Sequence, residues 1–117
     1  LRGMPKALIT NKSRIFTEKL LDKLALTSHF DVVVCGDDMA KKPSPEPLLF
    51  ACKKLNAEPN KAIMIGDSKS DILAAKAANI DVIALSYGYN QGESLEDYNP
   101  QYLCDNFLDI IPVLTQR

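Results

Sequence analysis

The sequence predicts an α/β fold, a parallel sheet with helices on both faces. Three observations predict it. Short, continuous apolar runs recur along the chain, as they do in strands buried on both sides. Stretches with helical spacing separate them, the alternation of a doubly wound layer structure. No internal repeat, low-complexity stretch or linker divides the 117 residues, so one domain over 1–117 is expected.

The elements follow in order. Lys6 to Thr10 (KALIT) is an apolar run between Pro5 and Asn11, and reads as a buried strand. Ser13 can cap a helix from Arg14 to Leu26, in which Ile15, Phe16, Leu20, Leu21 and Leu24 form an apolar stripe. Asp31 to Cys35 (DVVVC) is a second strand. Lys41 to Pro47 is a proline-rich loop, with Ser44 as cap and Pro45 at the first position of a helix to Leu55. Ala62 to Ile65 is a third strand ended by Gly66, and a helix is expected from Ser70 to Ala78. Val82 to Leu85 is a fourth strand, and Ser86 to Gly92 a loop. Tyr102 to Cys104 fits a short edge strand, and Asn106 can cap a last helix through Leu114, interrupted by Pro112.

Composition narrows the function classes. With 14 basic and 15 acidic residues the net charge is −1, so no basic surface points to nucleic acid. No apolar run is long enough for a membrane helix, and no signal peptide is visible. Cys35, Cys52 and Cys104 lie in apolar contexts without the spacing of a zinc or redox site. They read as buried thiols in a reducing compartment, with the cytoplasm as the default location. The opening Leu1-Arg2-Gly3 resembles a helix end with a glycine stop, so a chain whose earlier part was removed is expected.

In open parallel sheets, ligands gather at the carboxyl ends of the strands. Thr10, Asn11 and Lys12 follow the first strand. Lys41-Lys42-Pro43 follows the second, and Gly66-Asp67-Ser68 with Asp71 follows the third. A hydroxyl, an ammonium and two carboxylates suit a phosphate and a divalent cation. Mg²⁺ takes one or two carboxylates and completes its shell with water and phosphate oxygens. A second account stays open: Asp67 caps the helix and Asp71 favours its dipole. Lys42, held extended by Pro43, can reach a phosphate as a point charge or be a solvated lysine. Thr10 can also be a plain strand terminus. His29, the one histidine, reads as a loop residue, and Tyr87 and Tyr89 as loop anchors or substrate-facing groups.

Taken in order, LITNKS (Leu8 to Ser13), KKPSPEP (Lys41 to Pro47) and IGDSKSD (Ile65 to Asp71) resemble the second, third and fourth motifs of the haloacid dehalogenase superfamily. The similarity runs on through DILAAKAANI into SYGYNQGE, and within the superfamily it most resembles bacterial phosphoglycolate phosphatases. The resemblance implies a three-layer αβα, Rossmann-like core. It also implies Mg²⁺-dependent hydrolysis of a small phosphomonoester such as 2-phosphoglycolate through an aspartyl-phosphate. Thr10 and the amide of Asn11 would bind the phosphoryl group, helped by Ser68. Lys42 would neutralise its charge, and Asp67 and Asp71 would serve the metal.

One departure bears on activity. The family's first motif is Asp-x-Asp-x-Thr, carrying the nucleophile, and this sequence contains no Asp-x-Asp. By the resemblance, that motif ends a strand lying between the first and third strands read here, and a cap domain follows it. The expectations are therefore a partial core domain, inactive alone, whose flanking strands are completed by a further segment or by another copy. The alternative is a non-catalytic domain that binds phosphate and metal.

Overall fold

The structure, a computed structural model, describes residues 4–85 and 95–104. The expectations for Leu1 to Gly3, for the Ser86 to Gly92 loop with Tyr87 and Tyr89, and for the helix after Asn106 lie outside the described residues.

Eight elements carry the fold: β1 (Ala7–Ile9), α1 (Arg14–Lys23), β2 (Val32–Val34), α2 (Glu46–Lys54), β3 (Ile63–Gly66), α3 (Lys69–Ala77), β4 (Asp81–Leu85) and β5 (Tyr102–Cys104). Short 3-10 turns at Thr27–His29, Pro59–Lys61 and Leu95–Tyr98 were not expected from the pattern. His29 sits in the first of them.

Local chemistry sets the helix limits. Ser13 is extended and its Oγ accepts from the Phe16 amide at 3.2 Å, starting α1 where expected. The helix stops before Leu26 because Ala25 turns left-handed, at φ 58°. Asn56 at φ 55° and Asn79 at φ 60° follow the ends of α2 and α3 in the same way, and asparagine tolerates that region. At the start of α2, Pro45 is the cap residue rather than the first helical one, while Ser44 Oγ accepts from the Glu46 amide at 3.2 Å. Ser68, not Asp67, caps α3: its Oγ accepts from the Asp71 amide at 3.4 Å.

Every strand pairing among the described residues is parallel. β1 runs beside β2, from Ala7 opposite Val32 to Ile9 opposite Val34. β3 pairs with β4, and β4 with β5. Among the described residues the ladders do not join into one sheet: β2–β1 stands apart from β3–β4–β5. The break lies between β1 and β3, where the resemblance places a further strand.

Burial reflects this break. β4, flanked on both sides, is buried from Val82 to Leu85, whereas β1 is half-buried throughout and Ile65 of β3 is exposed. The expectation that all four inner strands are buried therefore holds for β4 alone. Alternation along β4 divides the core. Val82 and Ala84 pack with Leu48 and Cys52 of α2 and with Ile72, Ala74 and Ala75 of α3. Ile83 and Leu85 pack with Cys104 and Ile63 in a second cluster. The apolar stripe expected on α1 is also corrected: Leu21 is buried, but Ile15, Phe16, Leu20 and Leu24 are exposed. The other inward residue is Thr17, whose hydroxyl donates to the Ser13 carbonyl at 2.8 Å.

Candidate active site

The carboxyl ends of β1 and β3 are bridged by one side chain. Lys42 Nζ donates to the Ile9 carbonyl at the end of β1, at 2.9 Å. The same ammonium lies 2.6 Å from Asp71 Oδ1, in the first turn of α3. Both side chains are nearly buried, 10 % and 7 % exposed. Asp71 Oδ2 accepts from the Asp67 amide at 3.0 Å. Thr10, next to Ile9, is thus joined to Asp67 by a continuous hydrogen-bonded path through Lys42 and Asp71. Of the candidate residues, Lys42 and Asp71 are in side-chain contact, while Asp67 meets Asp71 through its backbone amide and Thr10 adjoins the Ile9 carbonyl in sequence.

Gly66 makes the approach of Asp71 possible. A Cβ at Gly66 would overlap the Asp71 side chain. Ser68 holds the other end of that turn through the Asp71 amide, and its Oγ lies 3.0 Å from Ser70 Oγ.

The loop after β1 is anchored from below. Thr10 donates its amide to the Val34 carbonyl, and its Oγ1 accepts from the Lys12 amide at 3.1 Å. Gly36 donates to the Lys12 carbonyl at 2.7 Å, and a Cβ at Gly36 would overlap the Asn11 carbonyl. Asp37 Oδ1 accepts from the Arg14 amide at 2.9 Å. Asp38 takes Arg14 Nε and Nη2 at 3.1 and 2.5 Å and also accepts from the Cys35 amide. Arg14 reaches the Val33 carbonyl as well. The Arg14 guanidinium holds the Asp38 carboxyl below its ordinary range, and Asp38 in turn pushes the guanidinium up.

Asn11 presents its side chain to the Lys42 loop. Its Oδ1 accepts from the Lys42 amide at 3.0 Å and its Nδ2 donates to the Lys42 carbonyl at 3.1 Å. The Lys42–Pro43 peptide is cis.

Reading by residue type missed Gly36, Arg14 and Asp38. Gly36, just past a strand, was the available signal of close backbone approach. The Arg14–Asp38 pair spans 24 positions and has no local signature.

Among the described residues, no group of three or more His, Cys, Asp or Glu side chains is placed to hold a metal. Asp67 and Asp71 remain as hard oxygen donors, the type and number that Mg²⁺ takes from protein. Asp67 is exposed, whereas both Asp71 oxygens already serve Lys42 and the Asp67 amide. Two carboxylates are within the number that Mg²⁺ takes from protein, and of the two only Asp67 is exposed.

The chain is 48% identical over 110 residues to a phosphoglycolate phosphatase of Colwellia psychrerythraea, covering 93% of this chain and 49% of that protein. A phosphoglycolate phosphatase of Nitrosococcus oceani is 42% identical, with 98% and 52% covered. A crystal structure described as a predicted phosphoglycolate phosphatase from Haemophilus somnus superposes with a TM-score of 0.91 at 30% identity, over 97% of this chain and 51% of that one. The chain spans about half the length of these relatives. The sequence profile of the haloacid dehalogenase-like hydrolases matches residues 2–85, most of the chain. With its parallel strands and the fold match, this places the chain in the haloacid dehalogenase-like hydrolase family.

Proposed function

We propose that residues 1–117 form a partial core domain of a Mg²⁺-dependent phosphatase for small phosphomonoesters, with 2-phosphoglycolate as the leading substrate. The observation that carries this reading is Lys42, bound at once to the end of β1 and the first turn of α3. An ammonium fixed between a strand end and a carboxylate suits phosphoryl transfer, where catalysis is positioning and charge stabilisation. The relatives named phosphoglycolate phosphatase support the choice of substrate.

Each side chain has a role in this proposal. Thr10 Oγ1 accepts from the Lys12 amide, which leaves its hydroxyl proton to donate to a phosphoryl oxygen. The backbone amide of Asn11 is a second donor there. Lys42 balances the phosphate charge. Asp67 holds Mg²⁺, which supplies positive charge at the phosphate oxygens when bound. Asp71 supports it through water while orienting Lys42, and Ser68 fixes the turn that carries both aspartates. A cytoplasmic location is part of the proposal, supported by the buried thiols of Cys35 and Cys52. Burial pushes the Cys52 thiol up, consistent with an inert packing group. No helix among the described residues is long and apolar enough to cross a membrane.

The test joins this chain to the part of the Colwellia protein that it does not match, and measures hydrolysis of 2-phosphoglycolate with Mg²⁺. Turnover is expected, with Lys42→Ala lowering kcat about 10²-fold or more. A folded chimera inactive on a panel of phosphomonoesters would defeat the reading in favour of a non-catalytic phosphate-binding domain. The 117-residue chain alone is expected to leave p-nitrophenyl phosphate unhydrolysed. Turnover by a mass-verified sample would show that it carries its own nucleophile.

A further inference from the structure

We infer that Asn11 is a positioning residue for Lys42, and that its side chain acts through the lysine backbone rather than on the substrate. The inference rests on the proposed role of Lys42 and deepens it. A carboxamide places one donor and one acceptor side by side, so it can satisfy both the N–H and the C=O of a single residue. Asn11 does this to Lys42, accepting from its amide at 3.0 Å and donating to its carbonyl at 3.1 Å. The opposite orientation of the carboxamide would set donor against donor and acceptor against acceptor.

The clip has a firm base. The Asn11 carbonyl lies against Gly36 so closely that no Cβ fits there, and the Gly36 amide bonds the next carbonyl, that of Lys12. Thr10 is tied to Val34, and Asp37 caps the Arg14 amide. The backbone of Asn11 is thereby tied to β2 on one side, while its side chain holds a loop 31 positions away on the other. Lys42 Nζ must reach Ile9 and Asp71 together, at 2.9 and 2.6 Å. A long side chain meets two partners at once only when its backbone is held. Lys42 is followed by Pro43, which contributes no N–H to hold the loop. Asn11 supplies that restraint, and it couples the phosphate loop to the lysine: movement of Thr10 and Asn11 on binding would be passed to Lys42.

The test uses the 117-residue chain labelled with ¹⁵N, reading the Lys42 ammonium resonance by NMR. In the wild type this group is expected to exchange slowly with water, because it is nearly buried and doubly bonded. Asn11→Ala is expected to speed its exchange about tenfold or more, the scale of losing two ordinary hydrogen bonds. Asn11→Asp keeps the acceptor for the Lys42 amide and loses the donor, so an intermediate rate is expected. Thr17→Val removes a buried hydrogen bond elsewhere in α1 and serves as the control for general loosening; it is expected to leave the ammonium exchange as in the wild type. The inference is overturned if either Asn11 variant leaves that exchange unchanged, or if Thr17→Val accelerates it as much as Asn11→Ala. Titration with inorganic phosphate and Mg²⁺ addresses the phosphatase reading separately. A wild-type Lys42 signal indifferent to phosphate would count against that reading without touching the exchange rates that test the clip.

Discussion

Lys42 Nζ and Asp71 Oδ1 stand 2.6 Å apart, and each side chain is at least nine-tenths withdrawn from water. Two charges so placed are costly to desolvate, and their attraction offsets that cost only while both are present. Removing one partner leaves the other stranded. Lys42→Ala and Asp71→Ala are each expected to cost about 3–5 kcal/mol in urea unfolding. The double change Lys42→Met with Asp71→Leu is expected to cost less than the sum of the two. Single costs below about 1 kcal/mol would mean that the pair is effectively solvated.

Gly36 and Gly66 are both places where a methyl group does not fit, with different obstacles. At Gly36 the obstacle is backbone, the Asn11 carbonyl, which cannot rotate away. Gly36→Ala is expected to lower stability by about 2 kcal/mol or more, a fall of roughly 10 °C in Tm for a domain of this size. At Gly66 the obstacle is the Asp71 side chain itself. Gly66→Ala is expected to displace Asp71 from Lys42 and so weaken phosphate binding, even where the chain stays folded. Calorimetry on the two variants, with a phosphate titration of the second, checks both. An unperturbed Gly36→Ala protein would show that the loop after β1 does not lie against β2 as described.

The fold was legible where one segment decides its own conformation. The apolar runs at β1, β2, β3 and β4 and the serine cap at Ser13 are local signals, and the elements fall within a few residues of expectation, although α3 is capped by Ser68 where Asp67 was the cap considered. The division of the parallel strands into two sheets is not local, since pairing depends on which strands come together. It was anticipated only through the family resemblance. The α1 stripe misled for a similar reason: helical spacing puts Ile15, Phe16, Leu20 and Leu24 near one face, but nothing in the spacing says that the face is covered. At the site, residue types at strand ends brought Thr10, Lys42, Asp67 and Asp71 forward as candidates, each with a plain structural account beside it. The engagement of both Asp71 oxygens, and the use of Asn11 as a clip, depend on side-chain direction that a sequence does not display.

The Arg14–Asp38 pair gives the molecule an acid-sensitive contact. The Arg14 guanidinium, followed by the Cys35 amide, holds the Asp38 carboxyl below its ordinary 3.8. A carboxyl depressed in the folded state contributes stability that is fully present above the unfolded value and is lost as pH falls through the folded one. Arg14 stays charged throughout and adds no pH dependence of its own. Asp38→Asn is therefore expected to lower stability near neutral pH and to flatten the loss below about pH 4. The effect is modest, because Asp38 is 26 % and Arg14 37 % exposed and water screens the pair. Urea midpoints from pH 2 to 7 for both proteins measure it, and parallel curves across that range would remove Asp38 as the source.

Ser13 and Ser68 cap α1 and α3 with the same chemistry, a hydroxyl accepting from an amide three residues on, at 3.2 and 3.4 Å. Replacing either with alanine is expected to cost about 1 kcal/mol. Their local consequences differ. The amide that Ser13 holds belongs to Phe16, an exposed residue given no role at the site, whereas the one that Ser68 holds belongs to Asp71. With equal losses in global stability, Ser68→Ala is expected to loosen the turn that fixes Asp71 and weaken Mg²⁺ binding, and Ser13→Ala to leave it unchanged. Isothermal titration with Mg²⁺ in the presence of phosphate separates the two. Equal affinities for both variants would mean that Lys42 and the Asp67 amide hold Asp71 in place without its cap.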